Sequence, residues 1–182
     1  VDTLREVALG EGAVALEAQR LTAVGDALQG YTQAARNTMG EVLNQAPNNG
    51  DALAAAGILA AEENDYIAAT EYLRAAVESG TSFDAEALTH LGILLISQGE
   101  FADAREQLKR AMTLDPANDR ARFFHAVCQR ERGLYEEAIR ELDPLMKGSG
   151  PLAGQAAVET ARAMQAGLFR SLTSRHANDC CA

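Results

Sequence analysis

Apolar residues recur along this chain at helical spacing, and the pattern they make is itself repeated. Between Ala85 and Pro116, Leu88, Leu91 and Leu95 stand three and four apart, which puts them on one face of a first helix. Gly99 ends that helix, and Phe101, Ala104, Leu108 and Ala111 line a second one. Pro116 opens the next connection because proline cannot continue a helix. Gly92 and Ala104 are small, which predicts that the two helices approach closely there. The set then returns. Gly57, Tyr66, Ala69, Leu73 and Ala76 lie 35 residues before Gly92, Phe101, Ala104, Leu108 and Ala111. The extra residue falls in the loop Ser79-Gly80-Thr81-Ser82, where insertions are tolerated. Gly99, Phe101, Ala104 and Leu108 recur 34 residues later as Gly133, Tyr135, Ala138 and Leu142. Gly30, Ala35, Met39 and Val42 precede Asn64, Ala69, Leu73 and Ala76 by 34 residues.

These intervals predict one helical array. Residues 1–12 form a short N-terminal helix, and residues 13–49 a degenerate pair broken by Pro47-Asn48-Asn49-Gly50. Residues 50–84, 85–118 and 119–150 form three further pairs. In the last of these, His125-Ala126 stand where Leu91-Gly92 stood, and Leu145 replaces the small Ala111. After the turn Lys147-Gly148-Ser149-Gly150-Pro151, residues 151–172 make a capping helix with Ala153, Ala157, Ala161, Met164 and Leu168 as its apolar face. Arg162, Gln165 and Arg170 face water there, as the last helix of a repeat array requires. Residues 173–182 are expected to be a flexible tail.

Leu88, Leu91-Gly92, Leu95, Ala104, Leu108 and Pro116 together resemble the 34-residue tetratricopeptide repeat (TPR), W-x2-L-G-x2-Y…A-x3-F…P, with leucine at its three aromatic positions. The resemblance covers roughly residues 13 to 172. It implies an all-α fold, a right-handed superhelical solenoid of antiparallel helix pairs.

Composition narrows the function. Hydrophobic residues at 47% with 23% charged exclude a disordered chain. Net charge is −10, only Lys109 and Lys147 among the sixteen basic residues are lysines, and no dense basic cluster occurs, so neither a nucleic acid nor an acidic membrane surface is an expected partner. No apolar run reaches the ~18 residues that would span a bilayer. The chain opens on Val1-Asp2 without an initiator methionine or a signal-peptide pattern. Cys128, Cys180 and Cys181 form no spaced framework, which favours the cytoplasm, with the periplasm or the periphery of a membrane-associated complex as alternatives.

Catalytic chemistry is not expected. Gly148-Ser149-Gly150-Pro151 lacks the lysine and the strand of a phosphate loop. His125 and Cys128 share a helix face, but a third metal ligand is not identifiable, so packed helix residues are the better account. His176 and the adjacent Cys180-Cys181 suggest metal or redox chemistry only weakly. Glu62-Glu63 and Glu136-Glu137 fall on helix surfaces or turns. The expectation is a non-enzyme without cofactor or metal.

What the resemblance implies instead is a concave groove lined by the first helix of each pair, receiving a peptide or helix. Its lining is expected from Glu17, Arg20, Val24 and Leu28, then Ala54, Ile58 and Glu62, then Glu86, Thr89, Ile93 and Ile96, then Arg120, Phe123, Val127 and Arg130. Phe123 is the expected aromatic anchor. Family members that hold heat-shock chaperone tails use groove lysines and asparagines. The matching positions here are Arg20, Val24, Ala54, Ile58, Thr89 and Ile93, so that clamp is missing. The leading expectation is a scaffold or adaptor for assembly of a bacterial complex, with self-association open. The alternatives are a dedicated chaperone for an exported secretion subunit and a metal- or redox-responsive regulator.

Overall fold

The computed structural model describes residues 32–81 and 84–179, and among them lie eight α-helices and no strand. They are α1 (Thr32–Gln45), α2 (Gly50–Glu62), α3 (Tyr66–Ser79), α4 (Asp84–Ser97), α5 (Phe101–Leu114), α6 (Asp119–Glu131), α7 (Tyr135–Lys147) and α8 (Ala153–Asp179). The helices expected before residue 30 lie outside the described residues. Contacts gather the chain into two compact units, Val1–Ala87 and Leu88–Ala182, with the boundary inside α4.

One turn recurs within the pairs. Asn64, Gly99 and Gly133 all have left-handed backbone, with φ of 64°, 80° and 78°. In each case the next N–H reaches back five residues: Asp65 donates to the Ala60 carbonyl at 2.9 Å, Glu100 to Leu95 at 2.8 Å, and Leu134 to Gln129 at 2.9 Å. This closure satisfies helix carbonyls that would otherwise be orphaned, and it favours glycine or asparagine at its left-handed position. Helix starts are capped as well. Asn49 accepts from the Ala52 N–H at 2.9 Å, Asp65 from Ala68 at 3.2 Å, and Asn118 from Ala121 at 2.8 Å.

In the first unit, Met39 and Val42 of α1 pack against Ala52, Ala56 and Leu59 of α2. A Cβ on Gly57 would stand 2.6 Å from Leu73 Cγ, so α2 and α3 meet where only glycine fits. Thr81 donates to Asp51 at 2.6 Å, closing the unit's far loop. The second unit repeats the design. A Cβ on Gly92 would lie 2.5 Å from Leu108 Cγ, and Ala104, Leu108 and Ala111 are all buried. The core beyond it gathers Phe123 and Ala126 of α6, Ala138, Leu142 and Leu145 of α7, and Ala156 of α8.

The last helix departs from the expected pattern in two ways. Its backbone stays helical to Asp179, past the end foreseen at Leu172 and through part of the foreseen tail. Its inward face is also a different one. Ala156, Glu159, Thr160 and Ala163 are buried, whereas Ala157 and Ala161 are exposed, Met164 is 51% exposed and Leu168 66%. The buried set lies 68 residues after Leu88, Leu91, Gly92 and Leu95, the inward set of α4. Register in the array has overridden the helix's own apolar stripe, because Glu159 meets Arg130 of α6 at 2.9 Å and Gly167 packs against Tyr135 of α7.

Candidate functional site

The expected groove positions divide by their place in the repeat. Ala54, Thr89 and Phe123 are successive equivalents, and all three are buried, at 1%, 2% and 6% exposure. Thr89 accepts from the Asn118 side chain at 3.1 Å, the residue that caps α6. Phe123 packs into the core with Leu142, Leu145 and Ala156. The expectation that these three line an open surface, with Phe123 as its anchor, is therefore corrected. For Thr89 and Phe123 the cause is visible: this position is covered by the helices that follow it.

Four residues further along, the position stays partly open. Ile58, Ile93 and Val127 are each half-buried, as is Ile96 one turn beyond Ile93. Glu62, Glu86 and Arg120 are exposed. Arg20, with Glu17, Val24 and Leu28, lies outside the described residues. Arg130 is half-buried and fully engaged, bonding Glu131 at 2.7 Å and Glu159 at 2.9 Å, while Glu159 also takes Arg162 at 2.5 Å.

Two histidines and a cysteine lie on these same helices. Burial, and secondarily the Arg120 guanidinium, hold His90 well below the ordinary imidazole value, at about 4, so the ring is neutral at pH 7. The nearest Arg120 nitrogen lies 3.4 Å from His90 Nε2. His125 meets Glu141 at 2.7 Å through Nδ1, and its Nε2 is buried without a partner. Burial pushes the Cys128 thiol up to about 12, which keeps it protonated and makes it a poor nucleophile or metal ligand. Among the described residues, no three His, Cys, Asp or Glu side chains come together to hold a metal ion. Also among them, no helix is long and apolar enough to cross a membrane.

A hollow of about 620 Å³ opens in the second unit where α6 and α8 begin and α7 ends. Phe124, Leu145 and Leu152 give it apolar walls, with Arg120, Arg122 and Gln155 alongside. It lies where α7 carries Pro144 and the bulky Leu145 in place of the repeat's small residue.

Among solved structures, YrrB, a TPR protein with an unusual peptide-binding site, superposes with a TM-score of 0.72 at 19% identity, over 80% of this chain and 74% of that one. The fold is the tetratricopeptide-repeat fold. Residues 95–148 also match the family model described as tetratricopeptide repeat. MamA AMB-1 aligns at 19% identity with a TM-score of 0.70, over 91% of this chain and 98% of that one. The Thermobaculum terrenum O-GlcNAc transferase mutant K341M aligns at 26% identity and a TM-score of 0.64, over 71% of this chain but 25% of that one. Comparison with curated proteins gave no match.

Sequence reasoning passed over two half-buried residues that border the half-open groove positions. Phe124 and His90 are 34 residues apart and occupy one repeat position, directly after the buried one. The signal was present in that equivalence. A tandem Phe123-Phe124 puts one ring inward and leaves the other beside solvent, and spacing alone does not say which.

Proposed function

We propose that this chain is a non-enzymatic adaptor that holds a peptide or helix of a partner protein on the faces of its first helices, supporting assembly of a bacterial complex in the cytoplasm. One observation carries the proposal. The equivalent position on three successive first helices is apolar and half-open, as Ile58 on α2, Ile93 on α4 and Val127 on α6. Buried packing does not need these side chains at full depth, and partly open apolar residues ringed by charge are the usual makings of a contact surface. Glu62, Glu86 and Arg120 are exposed on the same helices and would set selectivity more than affinity. The peptide-binding site of YrrB, which shares this fold, supports a peptide as the occupant.

The test replaces Ile58, Ile93 and Val127 with arginine, one at a time. Each variant is compared with the parent for stoichiometric co-purification of the native partner and for helix content by circular dichroism. The expected result is loss of the partner with helix content kept. If all three variants retain the partner at parental stoichiometry, the first-helix faces are not the binding surface.

A further inference from the structure

We infer that the hollow between α6, α7 and α8 is the anchor pocket of this surface, taking a large apolar side chain from an acidic segment of the partner while Arg120 takes a neighbouring carboxylate. This rests on the protein-binding proposal above and names the chemistry of the partner.

Shape comes first. At about 620 Å³ the hollow falls within the ~300–1,000 Å³ typical of ligand pockets, and its walls include Phe124, Pro144, Leu145 and Leu152. The Phe124 ring is held in place, set edge-on to the core ring of Phe123 at 5.2 Å and 87°. Phe123 is itself locked among Leu142, Leu145 and Ala156, so the wall does not have to be ordered when an occupant arrives.

Charge supplies the other half. Of the two arginines at the hollow, Arg122 is committed. It bonds Asp119 at 2.7 Å and the Pro116 carbonyl at 2.6 Å, which also neutralises Asp119 as a source of repulsion. Arg130 and Arg162 share Glu159 and are likewise compensated. Arg120 differs from all three. Among the described residues it pairs with no carboxylate, and its contact is His90, whose ring is neutral at pH 7. An exposed guanidinium held against a neutral imidazole, at the mouth of an apolar hollow, offers a bidentate site to a carboxylate and none to an ammonium group. The chain's net charge of −10 makes this local cation the more selective, since an acidic segment is repelled elsewhere on the surface.

The probe is a five-residue peptide, glycine-glutamate-phenylalanine-glutamate-glycine, acetylated and amidated so that it carries no terminal charge. Three relatives replace both glutamates with glutamine, both with lysine, or the phenylalanine with alanine. Binding to the full chain is followed by NMR through the signals of Phe124, Leu145 and Leu152. The expected result is saturable shifts at those residues with the parent probe, weaker binding of the glutamine and alanine probes, and none of the lysine probe. Arg120→Glu, an exposed change, should weaken the parent probe about tenfold, equivalent to ~1.4 kcal/mol, with helix content unchanged. Absence of shifts at the hollow, equal binding of the lysine probe, or an unchanged affinity in Arg120→Glu would each overturn the inference. The two proposals fail separately. If the probe does not bind while Ile93→Arg still loses the native partner, the pocket falls and the broader surface stands. If the probe binds while all three arginine variants keep the partner, the broader surface falls instead.

Discussion

The α4–α5 pair and the α6–α7 pair share one register but fill it differently. In the first, Leu88, Leu91, Gly92, Leu95, Ala104, Leu108 and Ala111 are all buried and all apolar or small. In the second, the positions of Leu91 and Gly92 are held by His125 and Ala126, that of Leu95 by Gln129, and that of Ala111 by Leu145. The backbone follows the same turn in both, with Gly99 and Gly133 at nearly the same φ. What the repeat demands is therefore a sequence of sizes and turn residues. Apolarity at each inward position is the usual solution but not a requirement, provided the polar group finds a partner, as His125 does in Glu141. The cost shows in what is left over: the buried His125 Nε2 and Gln129 Oε1 have no partner.

The largest expected effect breaks the second pair at its core. Phe123→Ala should destabilise the fold by about 3–5 kcal/mol, read from the denaturant midpoint, because it empties a packed aromatic site. A loss of partner binding with unchanged stability would instead restore Phe123 to the surface. The first pair should respond next. Gly92→Ala forces a methyl group against Leu108, and Ala104→Leu overpacks the facing helix, so each should cost about 1–3 kcal/mol. Equal stability for either variant would mean that the close approach is not constrained as the geometry indicates.

His125 and Glu141 sharpen the comparison directly. His125→Leu alone should destabilise by about 1–3 kcal/mol by stranding a half-buried carboxylate. The double change His125→Leu with Glu141→Leu should recover most of that loss, because an apolar pair of similar volume replaces both partners. A double variant no better than the single one would show the polar pair to be required for folding.

A different kind of effect is a pH dependence in α4, absent at neutral pH. His90 titrates near 4 in the folded chain and near 6.5 when unfolded, so below pH 6.5 the unfolded state binds the extra proton first. Stability from this residue is present above pH 6.5 and is lost as pH falls toward 4. His90→Gln should therefore show a flatter stability profile between pH 6.5 and 4 than the parent chain, measured by thermal melts at matched ionic strength. Identical profiles would mean that His90 is not sequestered.

The sequence by itself determined the helix pairs, their turns and their family resemblance, because those depend on local facts. Three-and-four spacing makes a helix face, left-handed turns favour Gly99, Gly133 and Asn64, and small residues at Gly57 and Gly92 leave room for a neighbour. Which residues stay open to a partner was legible only in part. Ile58, Ile93 and Val127 are half-buried and Arg120 is exposed, whereas Ala54, Thr89 and Phe123 are buried. Only the tertiary structure decided that, since burial of a helix residue depends on what the following helices bring against it. The same holds for α8. Its sequence offers Ala157, Ala161, Met164 and Leu168 as the inward stripe, yet the fold turns Ala156, Glu159, Thr160 and Ala163 inward. There a non-local ion pair between Glu159 and Arg130, together with repeat register, outweighs the local apolar pattern, and no spacing along one helix encodes a partner on another.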